Sequence, residues 1–261
     1  MFDFHIHSTI SFDGHDSPEE MLAAAEAAGL REICFTDHRD YAANTEQQTM
    51  LFDWQRYGQA YDCLESPKLK IRRGMEFGLK PDNVHVLEQD AAMRDFDFIL
   101  GSVHFVEEQD VYFEPYWEGK TIFEAERRFL EETLRCVQVH KDYDVLAHLT
   151  FLSKARAHPL PQPIPYYRHR EVADEILRTL AQKGKGLEMN TSGVDRCGDF
   201  LPGADYFRRF KELGGEIVTI GSDAHTAARV GQHTSKAGEL LGAIFGYVCT
   251  FAGRQPIFHK L

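Results

Sequence analysis

Phe2-Asp3-Phe4-His5-Ile6-His7 opens the chain as a short apolar run closed by two histidines, and Glu32-Ile33-Cys34-Phe35-Thr36-Asp37-His38 repeats the form. Between them, Ser17-Pro18-Glu19-Glu20 is a capping box with proline at the first helical position, and Gly29 ends the helix it starts. A strand, a helix and a second strand are thus written into the beginning of the chain. The same rhythm outward predicts strands over 69–74, 96–101, 144–147, 186–189 and 216–220, after those over 2–6 and 32–36, with 247–251 as a candidate eighth. Most are continuous apolar runs rather than strict alternations, which suits strands buried on both faces of a parallel sheet. Thr121-Ile122-Phe123-Glu124 is a second capping box, opening a helix with Leu130, Leu134 and Val137 on one face. Residues 170–184 and 206–214 read as two more helices. Strand then helix, repeated about seven times, makes this an α/β chain, either a (β/α) barrel or a doubly wound sheet. The segment 155–165 carries prolines at 159, 161, 163 and 165. It is long for a connection and reads as a functional loop or lid within a single domain spanning 1–261.

Composition narrows the function. With 27% charged and 43% hydrophobic residues over 261 positions, the chain can bury a sizeable core and is not disordered. Its 29 Lys and Arg against 41 Asp and Glu give a net charge of −12, which disfavours a nucleic-acid partner. The apolar runs fall short of the roughly 20 residues a membrane span needs. Met1-Phe2-Asp3-Phe4-His5 carries an acid and a histidine where a signal peptide is basic and then apolar. Five cysteines at wide spacing form no CxxC pair and no disulfide framework, so a reduced, cytoplasmic protein is expected.

The thirteen histidines are placed rather than scattered. His5 and His7 end the first candidate strand, and Asp37 and His38 the second. Glu76 follows the third, His104 the fourth and His148 the fifth. Asn190 ends the sixth, and Asp223-Ala224-His225 follows the seventh. In α/β folds this is the edge on which active sites are built. His5 and His7, at i and i+2, share one strand face, as two ligands of one ion must. Six histidines with Asp13, Glu76 and Asp223 make nine candidate ligands. Imidazole dominance points to zinc, iron or manganese rather than calcium or magnesium. One zinc takes about four ligands, so nine suit two or three divalent ions. Clustered divalent ions are the apparatus of phosphoester hydrolysis, in which they activate water, bind phosphoryl oxygens and stabilise the leaving oxygen.

His5-x-His7, Ser11-Phe12-Asp13-Gly14, Phe35-Thr36-Asp37-His38, Gly74-Met75-Glu76 and Gly101-Ser102-Val103-His104-Phe105 are followed by Leu146-Ala147-His148, Glu188-Met189-Asn190-Thr191-Ser192-Gly193 and Ile220-Gly221-Ser222-Asp223-Ala224-His225. In this order the chain resembles the PHP (polymerase and histidinol phosphatase) superfamily over essentially its whole length. Within it, the chain is similar to the monofunctional histidinol-phosphatases of histidine biosynthesis. The resemblance implies a distorted (β/α)7 barrel with a trinuclear site at the C-terminal ends of the strands. By motif, one ion takes His5, His7, Glu76 and Asp223. A second shares Glu76 and takes His104 and His148, and a third takes Asp13, His38 and His225. Several members carry histidine at the position of Asp13. Many histidinol-phosphatases have a longer segment with histidine and proline where Val194 to Pro202 stands here. The implied activity is metal-dependent hydrolysis of L-histidinol phosphate, with His104, Glu76 and Asp223 as catalytic residues.

The remaining candidates concern a small phosphorylated substrate. Lys154 and Arg156 open the proline-rich loop, and of the two Arg156 suits bidentate phosphate contact. Asn190, Arg196 and His15 are further substrate-binding candidates, and His158 is a weaker one. Glu107, Glu108, Asp195 and Asp199 are acids able to hold a cationic alcohol. His85, His140, His169, His233 and His259 read as surface residues, and Cys34 as core. Phe52, Trp54, Tyr57 and Tyr61 run at helical spacing and read as core or pocket wall. The rival functions are a phosphoesterase for another small ester or a short oligonucleotide, and a non-catalytic scaffold. All nine candidate ligand positions hold metal-competent residues, which argues against the scaffold.

Overall fold

The structure, a computed structural model, describes residues 1–41 and 50–261. Its strands in chain order are β1 Phe2–Ile6, β2 Glu32–Phe35, β3 His38–Arg39, β4 Lys70–Gly78, β5 Phe98–Ser102 and β6 Phe105–Val106, followed by β7 Gln109–Asp110, β8 Val145–Leu146, β9 Gly186–Asn190, β10 Val218–Gly221, β11 Tyr247–Ala252 and β12 Gln255–Lys260. β1, β2, β4, β5, β8, β9 and β10 lie side by side in that order, and every pairing is parallel. The seam between β1 and β10 is bridged where the His7 N–H donates to the Ala224 carbonyl (2.9 Å) and the Asp223 N–H to that of His5 (2.8 Å). The sheet is therefore nearly closed into a barrel of seven strand positions. β2 and β3 share one of them, since both pair with β4 on either side of a break at Thr36-Asp37. This is the expected (β/α)7 barrel.

The local causes are those read from the sequence. Ser17 caps α1 (Pro18–Ala27) in a reciprocal box with Glu20. The helices α2 (Trp54–Tyr61), α3 (Val84–Ala91) and α4 (Glu114–Trp117) follow. Thr121 and Glu124 make the same reciprocal cap on α5 (Ile122–Val139), which buries Ala125, Phe129, Leu130 and Val137. Each large apolar side chain so buried is worth about 1.5–3 kcal/mol. The later helices are α6 (Arg170–Gln182), α7 (Val194–Cys197), α8 (Ala204–Glu212) and α9 (Thr234–Phe245). β1, β2, β5, β9 and β10 are buried at every residue, as a doubly covered parallel sheet requires.

Three readings need correction. The candidate eighth strand is β11, which pairs antiparallel with β12 outside the barrel. Its hairpin covers the end where the strands begin: Phe251 packs on Phe98, the His259 ring on Phe2, and Arg254 bonds Asp144. The third strand runs on to Gly78, so Glu76 lies within it rather than after it. His140 and His169 are buried, not on the surface. The His140 ring donates to the Lys80 carbonyl (2.7 Å), and His169 meets the buried Glu126 carboxylate (2.7 Å), so each imidazole has the polar partner burial demands. Cys34 is core, and Phe52, Tyr57 and Tyr61 are buried together.

Candidate metal centre

Glu76 stands at the middle of the cluster, at the C-terminal part of β4. Its Oε2 lies 3.1 Å from His5 Nε2, 3.3 Å from His7 Nε2 and 3.2 Å from His38 Nδ1. Its Oε1 lies 2.7 Å from His148 Nε2 and 3.4 Å from His104 Nε2, and accepts from Ser102 (2.5 Å). Asp223 Oδ1 faces the first pair from across the barrel, 3.8 Å from His5 Nε2 and 3.5 Å from His7 Nε2. On the outer side Asp13 Oδ2 is 3.0 Å from His225 Nε2 and 3.6 Å from His38 Nε2. All nine candidate ligands are brought together. Among the described residues, their donor atoms and those of Asp40 fall into four sets, each within 4.8 Å: His7, Asp13, His38 and His225; His5, Glu76 and His148; His5, His7 and Asp223; His38, Asp40 and His104.

Several of these atoms do not satisfy one another. His7 Nε2 and Asp13 Oδ1 are buried and find no hydrogen-bond partner among the described residues, whereas His38 Nδ1 and Asp40 Oδ2 lie 3.0 Å apart. Buried polar atoms that point at a shared centre rather than at each other suit a cation between them. The donor chemistry, imidazole with carboxylate, fits divalent transition metals. Outer partners set the ring orientations. Glu188 Oε1 is 2.7 Å from His5 Nδ1, and Asp40 Oδ1 is 2.8 Å from His104 Nδ1. Each leaves the Nε2 of its histidine free to face the centre, the usual arrangement behind a metal-bound histidine. Two glycines make room for those carboxylates. A Cβ on Gly221 would stand 2.2 Å from Glu188 Oε1, and one on Gly78 would stand 2.0 Å from Asp40 Oδ1.

The electrostatics follow from this density of charge. Burial opposes ionisation of Glu76, but His5 and His38 outweigh it and hold the carboxyl well below its usual range. Burial likewise opposes ionisation of Asp223, and Lys154 and His5 overcome it. Burial disfavours charge on His5 and His104, yet Glu188 and Glu76 raise the first well above its ordinary value, and Asp40 raises the second. His148 goes the other way, pushed down by burial. His148 and Asp223 both hold positive φ, +24° and +55°. Such backbone costs about 1–3 kcal/mol in a non-glycine residue and collects at functional sites.

Sequence reasoning misses Glu188 and Asp40 and prefers Arg156 to Lys154. Glu188 carries a signal, being a carboxylate inside an apolar, doubly buried strand, and so does Asp40, two residues past His38. Asp37 accepts from the Ser8 (2.9 Å) and Ser11 (3.2 Å) N–H groups and from the Tyr61 hydroxyl (2.5 Å), so it anchors the loop that carries Asp13. Lys154, rather than Arg156, makes the close contact, its Nζ reaching Asp223 and Ser192.

The cluster forms the floor of a cavity of about 770 Å³, whose wall includes His15, Lys154 and Arg156. Asn190 is buried beneath it, donating to Glu188 (3.1 Å) and Asp223 (3.3 Å) rather than facing substrate. Arg196 donates to the Ala155 and Arg156 carbonyls and so fastens the proline-rich loop instead of lining the cavity. His158 is buried against Trp117. Glu107, Glu108, Asp195 and Asp199 do not line the cavity, whereas Asp110 does.

Comparison with known proteins agrees with this fold. The PHP domain model matches residues 3–192. The histidinol-phosphatase of Lactococcus lactis subsp. lactis is 33% identical over 258 residues, 97% of this chain and 95% of its own. A Thermotoga maritima protein named "Probable histidinol-phosphatase" is 30% identical, over 89% of this chain and 87% of its own. The crystal structure of histidinol phosphate phosphatase from Lactococcus lactis, complexed with zinc, L-histidinol and phosphate, superposes with a TM-score of 0.87 at 31% identity and covers 98% of each chain. The chain belongs to the PHP domain family.

Proposed function

We propose that this protein is a metal-dependent phosphomonoesterase that hydrolyses L-histidinol phosphate to L-histidinol and phosphate. The observation that carries the reading is Glu76. Its two oxygens reach toward different imidazole sets, His5 and His7 on one side, His104 and His148 on the other. A carboxylate so placed suits a bridge between two ions. We assign His5, His7, Glu76 and Asp223 to one ion, Glu76, His104 and His148 to a second, and Asp13, His38 and His225 to a third. Zinc, iron or manganese fit these donors. Such ions, when bound, supply an activated water and bind the phosphoryl and leaving oxygens. Glu188 and Asp40 hold His5 and His104 with Nε2 toward the centre. Lys154 and Arg156 add positive charge at the wall where a phosphate dianion must sit. His15 lines the same wall. No helix among the described residues is long and apolar enough to cross a membrane. Five free cysteines, four of them buried, suit a reduced cytoplasmic setting, and the continuous parallel sheet from β1 to β10 suits one catalytic domain over 1–261.

A phosphatase panel tests the reading. Histidinol phosphate should show kcat/KM at least about tenfold above sugar phosphates and nucleotides, a difference of about 1.4 kcal/mol. If a sugar phosphate or nucleotide is preferred, the histidinol assignment is wrong while the hydrolase assignment stands.

A further inference from the structure

β3 is only two residues long, yet the side chains on either side of Arg39 both serve the centre. His38 Nδ1 is 3.2 Å from Glu76 Oε2, and Asp40 lies between His38 Nδ1 (3.0 Å) and His104 Nδ1 (2.8 Å). Side chains alternate along an extended strand, so Arg39 points the other way, away from the centre. We propose that Arg39 is a positioning residue of the metal centre: its buried clamp on Asp90, Phe52 and Trp54 fixes β3 so that His38 and Asp40 face the ions. The inference rests on the metal-dependent reading above and adds to it the group that stands behind the outer ion.

The guanidinium is held on every side. Its Nε and Nη2 donate to the two oxygens of Asp90 on α3 (2.7 and 3.1 Å), Nη1 donates to the Phe52 carbonyl (2.8 Å), and Nη2 also donates to the Tyr41 hydroxyl (2.5 Å). That hydroxyl donates in turn to Asp90 (2.9 Å). The guanidinium carbon lies 4.3 Å from the centre of the Trp54 ring, at the start of α2, and 5.1 Å from that of Phe52. Arg39 and Asp90 are each 5% exposed, so both charges are out of water. The backbone continues the clamp: the Asp40 N–H donates to the Met50 carbonyl (3.1 Å), and the Phe52 N–H to that of His38 (3.3 Å).

Stability alone does not account for this arrangement. Taking a guanidinium and a carboxylate out of water commonly costs more than their attraction returns, and an apolar pair of similar volume often serves a fold as well. What the ion pair supplies is direction, because a planar, bidentate contact fixes distance and angle together. β3 needs that. It pairs with β4 only through His38 opposite Glu76 and Arg39 opposite Phe77, and the break at Thr36-Asp37 frees it from β2. The groups it aims belong to particular ions: His38 sits with Asp13 and His225, and Asp40 acts through His104. The ion assigned to His5, His7 and Asp223 leans instead on the seam between β1 and β10.

The test compares wild type with Arg39→Met, which leaves Asp90 a buried unpaired charge, and with the paired variant Arg39→Met/Asp90→Leu, which removes both charges. Three quantities are read: Tm, amide hydrogen exchange in metal-free protein, and zinc affinity at each step of a titration. The single variant should lose Tm and the paired variant regain it. In the paired variant the Asp40 and Phe52 amides should still exchange about tenfold or more faster than in wild type. The Leu187 amide, which donates to the Ile217 carbonyl (3.0 Å) in the barrel, should not change. The zinc step that His38→Ala abolishes should weaken by about 10–100-fold in the paired variant, as when a partner behind a metal-bound residue is lost. The ion at His5, His7 and Asp223 should keep its affinity. Wild-type zinc affinity at every step would overturn the proposal, because Arg39 would then serve stability alone. So would equal weakening of every ion with Tm still low, because Arg39 would then act on the whole fold. If wild type takes up no zinc, the metal reading fails, and the exchange of the Asp40 and Phe52 amides, read without metal, still decides whether Arg39 fixes β3.

Discussion

Replacing Glu188 with glutamine should cost the protein metal without costing it the fold. Glu188 Oε1 faces His5 Nδ1 at 2.7 Å, while Oε2 accepts from the His148 N–H (2.9 Å) and from Asn190 Nδ2 (3.1 Å). Glutamine has one oxygen and one NH2 to fill the two places. With NH2 toward His148 and Asn190, two buried donors face a donor, at about 1–3 kcal/mol each. The side chain therefore turns its oxygen to them and its NH2 to His5. The His5 Nδ1 must then accept, which puts the ring proton on Nε2, the nitrogen that faces Glu76 and Asp223. In that tautomer the Nε2 facing the centre has no lone pair for a metal. Outer partners of metal-bound histidines typically contribute 10–100-fold in affinity or activity, or about 1.4–2.7 kcal/mol. Zinc affinity by chelator competition should fall by that factor, with kcat/KM falling in parallel and the far-UV circular dichroism unchanged. Wild-type zinc affinity in this variant would refute the orienting role of Glu188.

His104→Ala removes a nitrogen 3.4 Å from Glu76, and it should lower both zinc content and kcat by orders of magnitude. Arg156→Ala should leave zinc content unchanged and cost about 1–3 kcal/mol in kcat/KM, the range of a charge-assisted contact; wild-type kinetics would make Arg156 an ordinary surface base. Gly221→Ala puts a Cβ 2.3 Å from that of His5 and 2.2 Å from Glu188 Oε1, so thermal unfolding should show about 1–3 kcal/mol of lost stability together with weaker zinc binding. In the metal-free protein carboxylates raise His5 and His104 above the ordinary histidine range against burial, so these rings hold protons at neutral pH. Their contribution to metal-free stability is present below about pH 6.5 and is lost as pH rises through the raised values. Metal needs them neutral, so zinc affinity rises over the same window. Calorimetry at fixed free zinc should show the gap in Tm between loaded and metal-free protein widening from pH 6 to pH 8; a constant or shrinking gap would contradict the coupling.

The barrel and the nine candidate ligands were legible because both obey local rules. Capping boxes at Ser17 and Thr121, apolar runs of strand length, and a polar residue at the end of each run all lie in a few consecutive positions. The orienting carboxylates were harder to see. Glu188 is hidden in an apolar run, and its partner His5 is 183 positions away. Asp40 is assigned only when β3 is recognised as a resumption of β2 alongside β4. The eighth run misled because an apolar strand in a capping hairpin has the same composition as one in the barrel. Substrate residues were least legible. Lys154 and Arg156 stand two positions apart, and only the three-dimensional path of the loop puts Lys154 against Asp223. Nothing local shows that Asp110 faces the cavity while Asp195 pairs with Arg229.

Stepwise reloading of chelator-stripped protein with zinc, with L-histidinol phosphate hydrolysis followed at each step, tests the central claim most directly. A shared Glu76 bridge predicts little activity at or below one ion per chain and a rise to full rate between two and three. Full activity in the stripped protein, or at a single bound ion, would contradict a multinuclear centre.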